Sequence, residues 1–111
     1  MTELAAMKCE ACEGGVAPLV REESEVLLKQ LNDWRLSGDA RWLSKEFTFK
    51  DFKDALAFVD TVGAIAEQEG HHPDIQLSWG KAVIELTTHA IKGLSNNDFI
   101  LAAKIDTATR S

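Results

Sequence analysis

No uninterrupted apolar run in this 111-residue chain approaches the roughly 20 residues that a membrane-spanning helix needs, which excludes a transmembrane segment of that kind. The amino terminus also lacks the basic and apolar regions of a secretory signal, so a soluble, cytoplasmic protein is expected. Basic residues are in the minority: 12 Lys and Arg against 18 Asp and Glu leave a net charge of −6. With no Lys/Arg cluster to displace counterions from phosphates, nucleic acid is excluded as a direct partner. Cysteine is scarce. Cys9 and Cys12 form one Cys-x-x-Cys, without a second pair to complete a zinc site and without the βαβ setting of a thioredoxin motif. Reduced, unliganded thiols are expected there. Internal repeats and low-complexity tracts are absent.

Histidine is equally sparse, and its distribution carries the information. All three residues, His71, His72 and His89, fall between Glu67 and Asp98, and imidazole is the side chain that gives and takes protons near neutral pH. What is present around them is a strand pattern. Ile75 to His89 alternates apolar and polar residues on either side of Gly80-Lys81, which suits a type II′ hairpin turn. Placing Trp79 opposite Ala82 sets Leu77 opposite Ile84 and Ile75 opposite Leu86, an apolar face with Gln76 and Glu85 on the other side. Carried outward, this register sets His72 beside His89. Adjacent extended residues point to opposite faces, so His71 and His72 reach one atom only if the chain bends, which Pro73 favours.

The rest of the chain reads as one domain of modest core, 45% apolar. Residues 1–19, with Gly14-Gly15 and Pro18, read as a flexible or peripherally packed leader, and 20–111 as the folded domain. Leu27, Leu28 and Leu31 predict a helix over 22–31 with acidic residues in its first turn. Trp34-Arg35-Leu36 and Arg41 to Phe49 flank a Gly38-Asp39 turn, which predicts a hairpin with Trp34 opposite Leu43. Leu43, Phe47 and Phe49 would share its inner face, leaving Trp42 to line a pocket or a subunit contact, or to be partly covered by a neighbouring loop. Thr48-Phe49-Lys50-Asp51 resembles a capping box, followed by Phe52, Leu56, Val59, Val62 and Ala66 at helical spacing as far as a C′ residue at Gly70. Ser95-Asn96-Asn97-Asp98 predicts a second box and a last helix to about Thr107. The order α-β-β-α-β-β-α implies an α+β fold, a four-stranded antiparallel sheet covered by helices on one face.

Glu67, His71-His72-Pro73, Trp79, His89 and Asp98, at their spacing and with Gly80-Lys81, Thr87-Thr88-His89 and Lys92-Gly93-Leu94 around them, resemble the signature of the pterin-4a-carbinolamine dehydratases. The resemblance covers about Glu22 to Ile105, and the Cys-x-x-Cys leader resembles bacterial members associated with phenylalanine hydroxylase. It implies dehydration of 4a-hydroxytetrahydropterin to quinonoid dihydropterin, without metal or bound cofactor, in service of aromatic amino-acid hydroxylases. It also implies an α+β fold, a homodimer or homotetramer, and catalytic duties for His71, His89, His72 and Asp98. Contacts to the pterin fall to His72, Pro73, Glu67 and Thr88. Two roles stand open for Asp98, orienting the site or capping the last helix. Trp79 is expected in the core rather than stacked on the pterin. A His₃ metal site is the rival chemistry, and a protein-binding module, a dimerisation cofactor or hydroxylase partner, is the rival class of function.

Overall fold

The computed structural model describes residues 4–9 and 17–109. In chain order the elements are α1 (Arg21–Leu28), β1 (Arg35–Leu36), β2 (Leu43–Thr48), α2 (Phe52–Glu69), β3 (Asp74–Ser78), β4 (Lys81–Leu86) and α3 (Asn96–Ala108), with short 3₁₀ turns at Leu4–Ala6 and His89–Ile91. The strands form one antiparallel sheet in the order β1-β2-β4-β3, as the alternating pattern predicts. Leu43, Ala82, Ile84 and Leu86 turn to its buried face and meet Val62 of α2 and Phe99, Leu101, Ala102 and Ile105 of α3. Burying each of the larger side chains contributes about 1.5–3 kcal/mol, so this layer carries the domain.

Both hairpins differ in register from the sequence expectation. In β3–β4, Leu77 faces Ala82 and Ile75 faces Ile84, a shift of two residues. The turn is Trp79-Gly80, because glycine supplies its left-handed conformation, φ 70°, at the second central position rather than the first. A two-residue shift preserves the faces, so the apolar side is intact, but Trp79 moves out of the strand to the tip and is 72% exposed, not in the core. In β1–β2, Leu36 pairs with Leu43, so Trp34 does not. The connection is longer than two residues because Ser37 Oγ accepts the N–H groups of Arg41 and Trp42 at 3.2 and 3.0 Å and stabilises a wider loop. Trp34 is buried nonetheless, edge-on to Phe47.

The cap of α2 is Asp51, whose Oδ1 accepts the Asp54 N–H at 2.8 Å, and not a box beginning at Thr48. Its buried side is Ala55, Phe58, Val62 and Ala66, while Phe52 and Leu56 are exposed. Phe58 decides this rotation by packing its ring 4.4 Å from Phe47 and 5.1 Å from Phe49. As predicted, Gly70 ends the helix in the left-handed conformation, and the His71 N–H returns to Ala66 O at 3.3 Å.

The apolar face of β2 is interrupted by Lys45. Its Nζ lies 3.0 Å from Asp106 Oδ1 on α3 and 4.8 Å from the centre of the Phe47 ring. Asp106 also accepts from Trp34 Nε1 at 3.0 Å and from the Asn32 N–H at 3.1 Å. A lysine can face the core here because the carboxylate that neutralises it is itself fully bonded. Of the leader, Leu4 is buried against α3, and Cys9 is half-buried; Cys12 lies outside the described residues. Among the described residues no helix is long and apolar enough to cross a membrane.

Candidate active site

The last helix begins with Ser95 as N-cap, and Asp98 at its third position accepts the Ser95 N–H through Oδ2 at 3.0 Å, as the predicted box requires. That local duty uses part of one carboxylate oxygen. The same Oδ2 accepts the Thr88 hydroxyl at 2.8 Å, and Oδ1 lies 2.7 Å from His71 Nε2. Asp98 is completely buried, and the His71 side chain is 11% exposed. The helix N-terminus supplies the positive end of the dipole to this buried carboxylate. Asp98 therefore caps the helix and holds a histidine at once, so the two roles do not compete.

An ionised carboxylate only accepts, so the proton between the two groups sits on His71 Nε2. In the neutral ring this leaves a lone pair on Nδ1. Gly70 and Pro73 bracket the histidine pair and supply the bend: the chain leaves α2 through a left-handed residue and enters β3 immediately after proline. His72 then faces the other way. It is exposed and hydrogen-bonds through Nε2 to the exposed Glu67 carboxylate one turn back on α2.

The predicted juxtaposition of His72 and His89 depended on the hairpin register and shifts with it. β4 ends at Leu86, and Thr87 and Thr88 lead into the 3₁₀ turn that carries His89. This turn is closed on itself by Thr88 N–H to Gly93 O at 2.8 Å and Lys92 N–H to His89 O at 3.2 Å, with Lys92 left-handed at φ 55°. His89 is exposed, and its ring stands edge-on to Trp42 with centres 5.9 Å apart. Trp42, Thr87 and His89 line a shallow hollow of about 320 Å³ with Asp39, Arg41 and Lys92. Hydrogen bonds from the Ser37 hydroxyl and the Arg41 N–H hold the Asp39 carboxyl below its ordinary range. A larger hollow, about 690 Å³ between β1 and the outer sheet face, contains no histidine.

The structure thus joins His71, Asp98, Thr88 and Ser95 in one hydrogen-bonded chain, with His89 the next residue after Thr88. His72 and Glu67 form a separate surface pair, and Pro73 is half-buried between them and β3. Among the described residues no hydrogen bond or ring contact joins two imidazoles, and no three His, Cys, Asp or Glu side chains converge as metal ligands. Ser95 was legible only as a cap, and its hydroxyl lies 2.8 Å from that of Thr88, a contact no local pattern announces.

Known proteins resemble this chain in sequence and in fold. The family model described as pterin 4 alpha carbinolamine dehydratase matches residues 17–108. A protein of Halorhodospira halophila named for that dehydratase is 51% identical over 98 residues, covering 88% of this chain and 90% of its own. One of the same name from Rubrobacter xylanophilus is 48% identical over 106 residues, covering 96% and 98%. Among solved structures, a transcriptional coactivator/pterin dehydratase from Brucella melitensis superimposes with a TM-score of 0.78 at 26% identity, covering 84% of this chain and 99% of that one. A pterin dehydratase-like protein described as a RuBisCO assembly factor of the alpha-carboxysome gives 0.61 at 28% identity, covering 72% and 94%. Spacing of the histidines, sheet order, matched span and identity converge on one assignment: the chain belongs to the pterin-4a-carbinolamine dehydratase family.

Proposed function

We infer that this chain dehydrates 4a-hydroxytetrahydropterin to quinonoid dihydropterin and water, with His71 as base and His89 as acid. The single observation that carries the residue assignment is the 2.7 Å contact between His71 Nε2 and the buried Asp98 carboxylate. In the reaction the C4a–O bond breaks, the oxygen leaves as water after taking a proton, and N5 loses its proton as the C4a–N5 double bond forms. His71 suits the N5 proton. Asp98 fixes the tautomer that presents Nδ1 as acceptor and stabilises the imidazolium that results. His89, in its exposed turn beside Trp42, suits delivery of a proton to the departing oxygen and can exchange that proton with solvent. His72, Pro73, Glu67 and Thr88 complete the pterin's surroundings in this reading, Thr88 by steadying Asp98 and Glu67 by orienting His72.

The activity is that of a carbon–oxygen lyase in tetrahydropterin recycling, serving an aromatic amino-acid hydroxylase in the cytoplasm and needing no metal or bound cofactor. Edge strands β1 and β3, with exposed Phe52 and Leu56 on α2, support a homodimer or homotetramer. Sedimentation at micromolar concentration distinguishes these from a monomer. A protein-binding role is the second reading, favoured by the coactivator description carried by the Brucella relative. Following the loss of enzymatically generated 4a-hydroxytetrahydropterin by absorbance tests the first reading: wild type accelerates it, whereas a pure binding module leaves the spontaneous rate unchanged.

A further inference from the structure

The contacts that hold residues 4–9 close a ring around the His71–Asp98 pair. Glu69, the last residue of α2, has a buried side chain whose Oε1 accepts the Cys9 N–H at 2.9 Å and whose Oε2 lies 3.7 Å from Lys104 Nζ on α3. Lys104 also donates to Ala5 O at 2.9 Å, and Cys9 Sγ donates to Asn97 O at 3.6 Å. Burial, and next to it the Glu69 carboxylate, push the Cys9 thiol up to about 12, so the sulfur keeps its proton and remains a donor. Asn97 precedes Asp98, and Glu69 stands two residues before His71. The path from Glu69 through Cys9, Asn97, Asp98 and His71 returns to Glu69 through Gly70.

Gly70 is where this ring would give. It is the one residue between the end of α2 and His71, it is left-handed at φ 67°, and a Cβ placed on it would meet nothing within 4 Å. No side chain packs at this position, and the helix-cap bond from the His71 N–H to Ala66 O at 3.3 Å is the local backbone contact on the residue that follows. Glu69 adds a second tie, joining the end of α2 to the start and middle of α3 on which Asp98 sits. The strap of residues 4–9 precedes the 17–108 span that the family model matches, whereas Glu69 and Lys104, which it ties together, lie within that span.

We propose that Glu69, held by the strap of residues 4–9 and by Lys104, is a positioning residue that keeps the His71 imidazole against Asp98. It touches no substrate and acts through the helix end, and the proposal rests on the reading of His71 as a catalytic group. Glu69→Ala removes the acceptor for Cys9 N–H and the partner of Lys104. Glu69→Gln keeps an oxygen for Cys9 in the same volume, and deletion of residues 1–9 removes the strap while leaving Glu69.

Two readouts, on wild type and on variants shown folded by circular dichroism, decide it: steady-state dehydration, and the ring nitrogen-15 signals of His71. Glu69→Ala and the deletion lower kcat by about 10- to 100-fold with KM within about twofold, whereas Glu69→Gln stays within about threefold of wild type. In Glu69→Ala the His71 signals move from the Nε2-protonated pattern to a mixture of tautomers. Unchanged kcat and unchanged ring signals in both Glu69→Ala and the deletion overturn the proposal. So does an equal loss in Ala and Gln variants with wild-type ring signals, which marks Glu69 as structural only. If Glu69→Ala does not fold, the deletion and Glu69→Gln give the same comparison. A wild-type protein without dehydratase activity defeats the functional reading instead, and the ring signals alone then test the brace.

Discussion

The Nε2 atom of His71 lies 2.7 Å from Oδ1 of Asp98, a carboxylate with no exposed surface that also accepts the Ser95 N–H and the Thr88 hydroxyl through its other oxygen. One side chain thereby fixes a helix start, a loop and the tautomer of an imidazole. Asp98→Asn keeps the shape but replaces one acceptor oxygen by an amide NH2, so it cannot accept from all three donors. Its kcat is expected to fall by about 10²–10⁴-fold, as loss of a tautomer-fixing carboxylate does elsewhere. Asp98→Ala additionally leaves buried donors unpaired and costs about 1–3 kcal/mol, read from the urea midpoint.

At Trp79 the structure and the sequence expectation give opposite predictions. The ring is 72% exposed at the hairpin tip, so Trp79→Ala is expected to change stability by no more than about 0.5 kcal/mol and to leave kcat unchanged. Burial in the core would have made the same truncation cost about 3–5 kcal/mol. Gly80→Ala, next to it, is the damaging change. Its φ of 70° and a Cβ only 3.0 Å from Phe49 O oppose any side chain, with a loss of more than about 1 kcal/mol expected in thermal or urea melts.

The two hairpins show what the sequence discloses and what it withholds. Alternation assigns Ile75, Leu77, Ala82, Ile84 and Leu86 to one face correctly because a shift of two residues leaves faces intact, and for that reason alternation cannot measure such a shift. The turn decides it, through which central position glycine occupies. Ser95 and Asp98 were legible as a capping box because the box is local. The bond from Asp98 to His71 spans 27 residues and needs α2, its Gly70 terminus and α3 in place first. Lys45 and Asp106 are further apart still: a lysine on an apolar strand face has no local pattern that names its partner 61 residues away. The same holds for Cys9 and Glu69.

Asp106 offers a control distant from the proposed chemistry. Its carboxylate serves Lys45, Trp34 and Asn32, so Asp106→Ala leaves a largely buried cation unpaired and is expected to cost about 3 kcal/mol. The measurement is the urea midpoint, paired with kcat at a temperature where the variant remains folded. Stability should fall and turnover should not.

Alkaline pH reports on the leader. The Cys9 thiol is raised by burial from an ordinary 9.0 to about 12, so between these values the unfolded chain releases a proton that the folded chain keeps. Folding stability from this group is intact below pH 9.0 and declines as pH rises towards about 12. Cys9→Ser removes that part of the decline, which a series of thermal melts across the alkaline range detects. Native Cys9 should also react with iodoacetamide more slowly at pH 8.5 than it does in urea, because only the thiolate is nucleophilic.

The most direct test of the account is the absorbance assay of 4a-hydroxytetrahydropterin loss with wild type, His71→Ala and His89→Ala compared at equal concentration. Wild type should accelerate dehydration, and each variant, still folded by circular dichroism, should lose about 10²–10⁴-fold of that acceleration. Full activity in either histidine variant would contradict the assignment of proton transfer to the His71–Asp98 pair and His89.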